Sequence, residues 1–463
     1  MIAPARAAAM QALVAVAAAP RDLGDALDDA RQGLDDPRDL ALLHELAVGT
    51  LRWQGRLDHA LAALSRTPLD RLDLAVLVAL RLGAYQLLYL TRIPPAAAVH
   101  DAVALVRRAR KSSAAGLVNA VLRRLAAGEG RALPPRPAVP LATDRGAWIQ
   151  HLAVVHAHPA WLVERWLARR PLGEVEAWLA FDNTTPAPTL RANPLVVASR
   201  DAAIAGLAAE GIAATASPVA PWGVRVGPGA IVASRAVADG ACLIQDEGSQ
   251  LAGHLAPIAP GARVLDVCAA PGGKALQYAA VAGAHGRVVA GDARLARVRL
   301  LAATVARGSA ANTRVVALDP EAALPFSRPF DVVVVDAPCS GLGTLRRDPD
   351  IKWRRQPGDC ARFAARQRDL LARAAACVRP GGRLVYTTCS TEPEENDQVV
   401  AAMLAARPDF RLAGAAWGDA AVAPYVGPDG LFRTDPVRDG LDGYFGAVLE
   451  RVGAPPVAPG GGM

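Results

Sequence analysis

The stretch that decides the fold runs Ala262-Arg-Val-Leu-Asp-Val-Cys-Ala-Ala-Pro-Gly-Gly-Lys274. Val264, Leu265 and Val267 make a short apolar strand, small residues turn the chain sharply, and a helical pattern opens at Lys274. A strand, a small-residue turn and a helix in that order bring a nucleotide-like ligand close to the backbone. Cys268 and Ala270 stand where a dinucleotide turn has its first glycines, so this is not the GxGxxG fingerprint. A cofactor without phosphates, such as S-adenosylmethionine, suits the turn better than a pyrophosphate.

Downstream of this turn, strand and helix patterns alternate. Strands are expected at Arg287–Ala290, Arg314–Ala317, Phe330–Val335 and Arg383–Thr388. Helices are expected at Arg294–Arg307, Ala361–Val378 and Asn396–Ala406. Such alternation predicts an α/β domain with a doubly wound, Rossmann-like parallel sheet over 245–452. A late run at Tyr444–Arg451 is expected to add an antiparallel edge, and a Pro/Gly-rich tail at 453–463 is expected to be disordered.

Upstream, residues 1–127 show apolar residues at helical spacing throughout, punctuated by Pro68 and Pro94–Pro95, and read as an all-helical domain. Residues 128–147 are a Pro/Gly-rich linker, and 148–244 read as a small α+β subdomain. The Met1–Pro20 stretch superficially resembles a secretory leader. Met10, Leu13 and Val16 recur three apart, which favours an amphipathic first helix. Leu72–Leu90 is apolar enough to suggest a membrane span, but Asp73, Arg81, Gly83 and Gln86 interrupt it, so a buried core helix is expected.

The chain has 463 residues, 52% of them hydrophobic, and a formal net charge of +7. A basic, arginine-rich chain suits a polyanion partner without identifying one. Six cysteines lie scattered with no CxxC pair, which argues against a zinc site or a disulfide framework and for a reducing cytoplasm. Cys242, Cys268, Cys360 and Cys377 read by default as small buried hydrophobes. No metal and no membrane are expected, and the chain is expected to act as a monomer.

Two other cysteines end strand-like runs. FDVVVVDAPCSG delivers Cys339 after Pro338, and GRLVYTTCST delivers Cys389. Ligands of open parallel sheets bind at the carboxyl ends of the strands, so these tips and the turn should converge. Asp292 ends RVVAGD, placed to accept ribose hydroxyls, and Asp319 ends VVALD, placed to meet the edge of an adenine. Asp336 precedes Cys339 by three residues. Carbon 5 of cytosine becomes nucleophilic only after a thiolate adds at carbon 6. Methylation there therefore needs one cysteine to attack, a second group to assist release, and an acid such as Asp336 at the ring nitrogen. The loop GLGTLRRDPDIKWRR carries Arg346, Arg347, Lys352, Arg354 and Arg355 around Trp353, an arrangement suited to unpaired RNA.

With LDVCAAPGGK, DAPCSGLGTLRRDPDIKW and LVYTTCSTEPEEN in hand, the chain resembles the ribosomal RNA cytosine-5 methyltransferases of the Nol1/Nop2/Sun class. Within it, the likeness is to the RsmB (Sun/Fmu) type, which carries an N-terminal NusB-like RNA-binding domain. QDEGSQLA, HPAWLVERW and GLVNAVLRRL carry it more weakly. The resemblance implies Cys389 as the nucleophile, Cys339 as the cysteine that helps release the methylated base, and Lys274 facing the reaction centre. It implies S-adenosylmethionine contacts from Cys268, Ala269, Ala270, Pro271, Gly272, Gly273, Lys274, Asp292, Asp319 and Asp336. The implied substrate is a cytosine of 16S ribosomal RNA. GDARLARVRLL lacks further acids after Asp292, leaving ribose recognition mostly to that residue. DNA cytosine-5 enzymes use a Pro-Cys nucleophile, which would shift the attacking role to Cys339; the TTCS context favours Cys389. Three other readings are an RNA-binding antitermination module, a nicotinamide oxidoreductase, and a cytosine-5 enzyme acting on another RNA such as tRNA.

Overall fold

The computed structural model describes residues 3–19, 21–227, 231, 234–414 and 419–452; the tail at 453–463 lies outside the described residues. The chain divides into two compact units, Met1–Thr185 with Thr344–Pro357, and Pro186–Gly343 with Gly358–Met463.

The first unit is helical. Prolines open the helices Pro4–Ala18, Pro37–Arg52 and Pro95–Arg108, where the missing N–H costs nothing. Asp36, Asp73 and Asp144 cap three helices by accepting bonds from Arg38, Ala75 and Ala147 N–H groups. The first helix buries Ala5, Ala9, Ala12, Leu13 and Val16, as its amphipathic pattern predicts. Helix Leu74–Tyr89 is a core element whose polar interruptions are satisfied. Arg81 forks onto Asp58 with both bonds 2.7 Å, and Gln86 accepts from Arg6 Nε at 2.7 Å. No helix of the described residues is long and apolar enough to cross a membrane.

Helices Arg145–Val155, Ala160–Leu167 and Leu172–Asp182 belong to this unit as well. The expected linker thus joins helices of one unit, and the break falls after Thr185. Trp166 and Trp178, stacked 4.9 Å apart, give these helices their own buried centre. The last component is Thr344–Pro357, a strap with one helical turn at Ile351–Arg354.

The second unit holds two sheets. The smaller comprises β1 (Thr189–Ala192), β2 (Ala214–Ala216), β3 (Gly223–Val226) and β4 (Cys242–Ile244), in the antiparallel order β2-β3-β1-β4. Helix Arg200–Ala209 packs on it through Ala203 and Leu207. The strand β4 was not expected, since three residues are too few to show a period.

The larger sheet contains β5 (Arg263–Asp266), β6 (Arg287–Asp292), β7 (Thr313–Ala317), β8 (Phe330–Asp336), β9 (Val378–Thr388), β10 (Phe410–Leu412), β11 (Phe432–Arg433) and β12 (Phe445–Arg451). Its order is β10-β12-β9-β8-β5-β6-β7, with β11 paired to β12. Strands β5 to β9 run parallel. Val332 to Val335 of β8 are at most 2% exposed, which explains their unbroken apolar run: helices cover both faces of a parallel sheet. The late strand β12 is antiparallel as expected, but it lies inside the sheet between β9 and β10 rather than at its edge. Order reverses at β5, which pairs with β6 on one side and β8 on the other. The crevice beyond the carboxyl ends there is where an open sheet binds ligands.

Candidate active site

Three strand ends meet at this crevice. The turn after β5 places Gly272 at φ +115, a left-handed conformation open to glycine; a Cβ there would also lie 3.0 Å from Leu301 and Thr304. Helix Gly273–Ala282 then begins, and Lys274 of its first turn reaches β8, donating to Asp336 Oδ2 at 2.7 Å. Thr387 of β9 donates to the other oxygen of Asp336, also at 2.7 Å. Asp336 is thus held from the helix that follows β5 and from β9. Burial alone would lower the pKa of Lys274, but the charge and hydrogen bond of Asp336 raise it above its ordinary value, so Lys274 is a fixed cation at neutral pH.

Beyond β8 and β9 the two expected cysteines come together, with Cys339 Sγ and Cys389 Sγ 3.2 Å apart. The hydrogen bond to Cys389, then burial, push the Cys339 thiol well above its usual pKa. Close backbone approach helps to seat the pair. Gly343 N–H donates to Cys389 O at 3.0 Å, and a Cβ on Gly343 would fall 1.9 Å from Gly443 O.

Glu395 completes this arrangement, and the sequence reading assigned it no role. Its carboxylate accepts from Ser340 N at 2.8 Å, Ser340 Oγ at 2.5 Å, Ser390 Oγ at 2.7 Å and Gln367 Nε2 at 3.1 Å. Each serine directly follows one of the cysteines, so one buried carboxylate joins both loops. The available signal was an acid six residues after Cys389 among polar neighbours, which normally reads as a solvated turn.

Asp266 and Asp292, at the ends of β5 and β6, lie close enough to the turn and to Asp336 for their charges to act on Cys268. Asp266, buried at the end of β5, has its carboxyl pushed up to about 8, first by burial and then by Asp336, with Lys274 and the Cys268 backbone opposing the shift. Asp292 is buried, with Oδ1 accepting from Arg294 N and Oδ2 3.4 Å from Arg297. Arg297 also donates to Ala270 O at 2.6 Å, tying the turn to the end of β6. Asp319 is exposed two residues past β7, and its Oδ1 accepts from Glu321 and Ala322 N–H groups. Acids on adjoining strand ends suit a cationic, hydroxyl-bearing ligand and would repel a pyrophosphate. S-adenosylmethionine has those features and no phosphate, whereas a nicotinamide dinucleotide brings the pyrophosphate that these acids oppose.

The expected RNA-facing loop is placed differently. Lys352 is fully buried, donating to Asn183 Oδ1 at 2.8 Å, and Trp353 Nε1 donates to Leu51 O at 2.7 Å. Lys352 thus serves the interior of the first unit and offers RNA no charge, while half-buried Trp353 is anchored against that unit's core. Arg346 is half-buried, its guanidinium 4.2 Å from the Phe181 ring centroid, and Arg347 is half-buried too. Of the four cysteines read as buried hydrophobes, Cys242, Cys360 and Cys377 are buried, while Cys268 in the turn is partly exposed.

A Rossmann-like sheet with a nucleoside-type crevice beside paired thiols defines a methyltransferase class. Comparison with known proteins gives the family. Residues 253–450 match the model for 16S rRNA methyltransferase RsmB/F, residues 3–127 match the NusB family, and residues 158–232 match the RsmF/B-like ferredoxin-like domain. The chain is 37% identical to ribosomal RNA small subunit methyltransferase B of Pseudomonas putida, covering 88% of this chain and 90% of that one. It is 35% identical to the protein of that name from Pseudomonas syringae, covering 97% of each. The crystal structure of a protein designated PH0851 shares the fold, with a TM-score of 0.81 at 24% identity over 97% of this chain and 99% of that one. The chain belongs to the 16S rRNA methyltransferase RsmB/F family, and it is a ribosomal RNA methyltransferase that uses S-adenosylmethionine.

Proposed function

We propose that this protein methylates carbon 5 of a cytosine in 16S ribosomal RNA through a transient bond between Cys389 and carbon 6 of the base. The observation that carries this reading is the pair of sulfurs 3.2 Å apart beside the Lys274–Asp336 ion pair. One sulfur would suit many chemistries. Two, next to a carboxylate and a fixed cation, suit attack on and release from a pyrimidine.

The asymmetry of the pair supports Cys389 as the attacking atom. Cys339 is held neutral by its hydrogen bond to Cys389 and by burial, and the proposed division of labour has its S–H donate toward Cys389 while Cys389 attacks. Lys274 lies near enough to Cys389 for their charges to interact, so a cation stands beside the attacking sulfur. Sulfur adds to carbon 6, and the electron pair of the 5,6 double bond moves to carbon 5, which becomes an enamine nucleophile. Asp336, aligned by Lys274 and Thr387, acts as the acid at the ring nitrogen, passing it a proton as charge builds there and taking that proton back on release. S-adenosylmethionine supplies the electrophilic methyl group. The carbon-5 proton then passes to solvent water, the 5,6 double bond re-forms, and Cys389 is expelled as a thiolate that the Cys339 S–H, in contact with it, stabilises.

For the cofactor we assign the turn Cys268 to Lys274, with Asp292 for the ribose hydroxyls, Asp319 for the base edge and Asp336 at the methyl-bearing end. The target base must be unpaired or turned out of its stack, because carbon 6 is hidden inside a helix. All of these groups come from one chain, which suits action as a monomer, and a ribosomal RNA substrate suits the cytoplasm. Bisulfite mapping of ribosomal RNA with and without the gene tests the assignment. One 5-methylcytosine of the small-subunit RNA should vanish on deletion and return with the wild-type gene but not with Cys389→Ala. An unchanged map, or a loss confined to tRNA, would overturn it.

A further inference from the structure

Helices Pro95–Arg108 and Ala115–Ala126 of the first unit enclose a surface groove of about 680 Å³. Its floor is small and apolar, with Ala96, Val99 and Val103 facing Ala115, Gly116 and Ala126. His100, Arg107, Asn119 and Arg123 form the rim, and no acidic residue lines it. Those rim positions repeat at helical spacing, so both helices turn a single face to the groove.

The charge around this groove is one-sided. From Arg92 to Arg124 the sequence has seven cationic side chains and one acid, and two of the seven, Lys111 and Arg124, pair with Asp73 and Glu129 outside the segment. That acid, Asp101, is buried 3.2 Å from Arg6 and cannot neutralise the rim. Some arginines of the unit are matched, Arg81 by Asp58, Arg124 by Glu129 and Arg136 by Glu176. Arg107 and Arg123 are exposed, and their guanidinium groups have no ion pair or hydrogen bond among the described residues.

We infer that this groove holds the sugar–phosphate backbone of the RNA substrate, with Arg107 and Arg123 as phosphate contacts outside the reacting centre. Guanidinium forks match phosphate oxygens, and the unpaired charge is complementary to a polyanion. The lining has no Phe, Tyr or Trp on which a base could stack. The groove is therefore assigned to the backbone, with Arg107 and Arg123 as its phosphate contacts. This inference rests on the proposed RNA methylation and adds where a second part of the substrate is held.

The test uses the full chain, an in vitro transcript of small-subunit ribosomal RNA, and the double variant Arg107→Gln/Arg123→Gln. Losing two phosphate contacts should flatten the slope of log affinity against log salt by roughly 1.4–1.8 and weaken binding about tenfold in low salt. The KM for the transcript should rise while kcat at saturating RNA stays unchanged. A control variant, Arg38→Gln/Arg66→Gln, removes the same charge at exposed sites outside the groove and should leave the slope nearly intact. An unchanged slope in the groove variant, or an equal loss in the control, overturns the inference, as would a groove that binds an acidic protein and leaves RNA affinity untouched. Failure of the proposed reaction looks different, since the wild-type protein would then form no 5-methylcytosine in the transcript.

Discussion

Ser340 and Ser390, each the residue after a cysteine, face one another with hydroxyl oxygens 3.1 Å apart, and both donate to the same carboxylate of Glu395. The spacing of the two sulfurs is thereby set one residue away from the sulfurs themselves. Burial pushes Glu395 above the usual carboxylate range, while the serine and glutamine hydrogen bonds oppose that shift. Glu395→Gln keeps the shape but brings an amide donor against hydroxyls that need an acceptor. We expect kcat to fall roughly 10- to 100-fold through misplaced sulfurs, with KM for S-adenosylmethionine nearly unchanged. Steady-state kinetics with both substrates checks this; equal losses in kcat and cofactor affinity would reduce Glu395 to a general structural role.

The division of labour between the sulfurs has a covalent signature. Cys339→Ala should accumulate a protein–RNA adduct stable on denaturing gels, because attack proceeds and release stalls. Cys389→Ala should form no adduct and lose turnover by at least roughly a thousandfold. Gel mobility with labelled RNA gives the answer directly. A reversed pattern would place the attacking role on Cys339, and full activity in both variants would end the covalent mechanism.

Cofactor recognition should be uneven across the strand ends. Asp292 is buried beside the turn, whereas Asp319 is exposed and bonded to its own loop. Calorimetric titration with S-adenosylhomocysteine should show affinity falling about 10- to 100-fold for Asp292→Ala, the scale of a lost charge-assisted hydrogen-bond pair. Asp319→Ala should cost less than roughly threefold. Similar losses for both would mean that the loop after β7 closes on the ligand.

Lys352 makes stability depend on pH in a distinctive direction. Burial lowers its pKa from 10.5 to about 7, against a partial restoring effect of Asp182. Between those values the unfolded chain binds a proton that the folded chain does not, so stability rises with pH across that window and the penalty is fully present below it. At ~1.4 kcal/mol per unit, the penalty amounts to a few kcal/mol. Lys352→Met should raise the thermal midpoint at pH 7 and flatten its rise between pH 7 and 10. Parallel melting curves for the two proteins across that range would show that Lys352 does not titrate there.

Much of the second unit is legible in the sequence because its parallel strands are buried on both faces. The run at Val332–Val335 and the turn at Cys268–Lys274 are local signals, and the convergence of their ends follows from the handedness and order of such sheets. Position within a sheet is less local. Nothing in Phe445–Arg451 says that Phe410–Leu412 will flank it, so an internal antiparallel strand reads as an edge. The charged loop at 341–355 misled for a different reason. Lysine and arginine beside a tryptophan suggest solvent and RNA, yet the partners that bury Lys352 and Trp353 lie at Asn183 and Leu51, far away in sequence. Glu395 was visible as an acid, but its role needs two loops that meet only in three dimensions.

The strap at Thr344–Pro357 carries a practical consequence for dissecting the protein. Trp353 and Lys352 fill interior positions of the helical unit, although they are encoded downstream of the Cys339 loop. A fragment ending at Thr185 would lack these two side chains and leave Asn183 and the Leu51 carbonyl without their donors. Genetic excision of the helices is therefore a poor assay of what they do alone, and a faithful miniature would need the strap supplied as a separate peptide or spliced onto its new end.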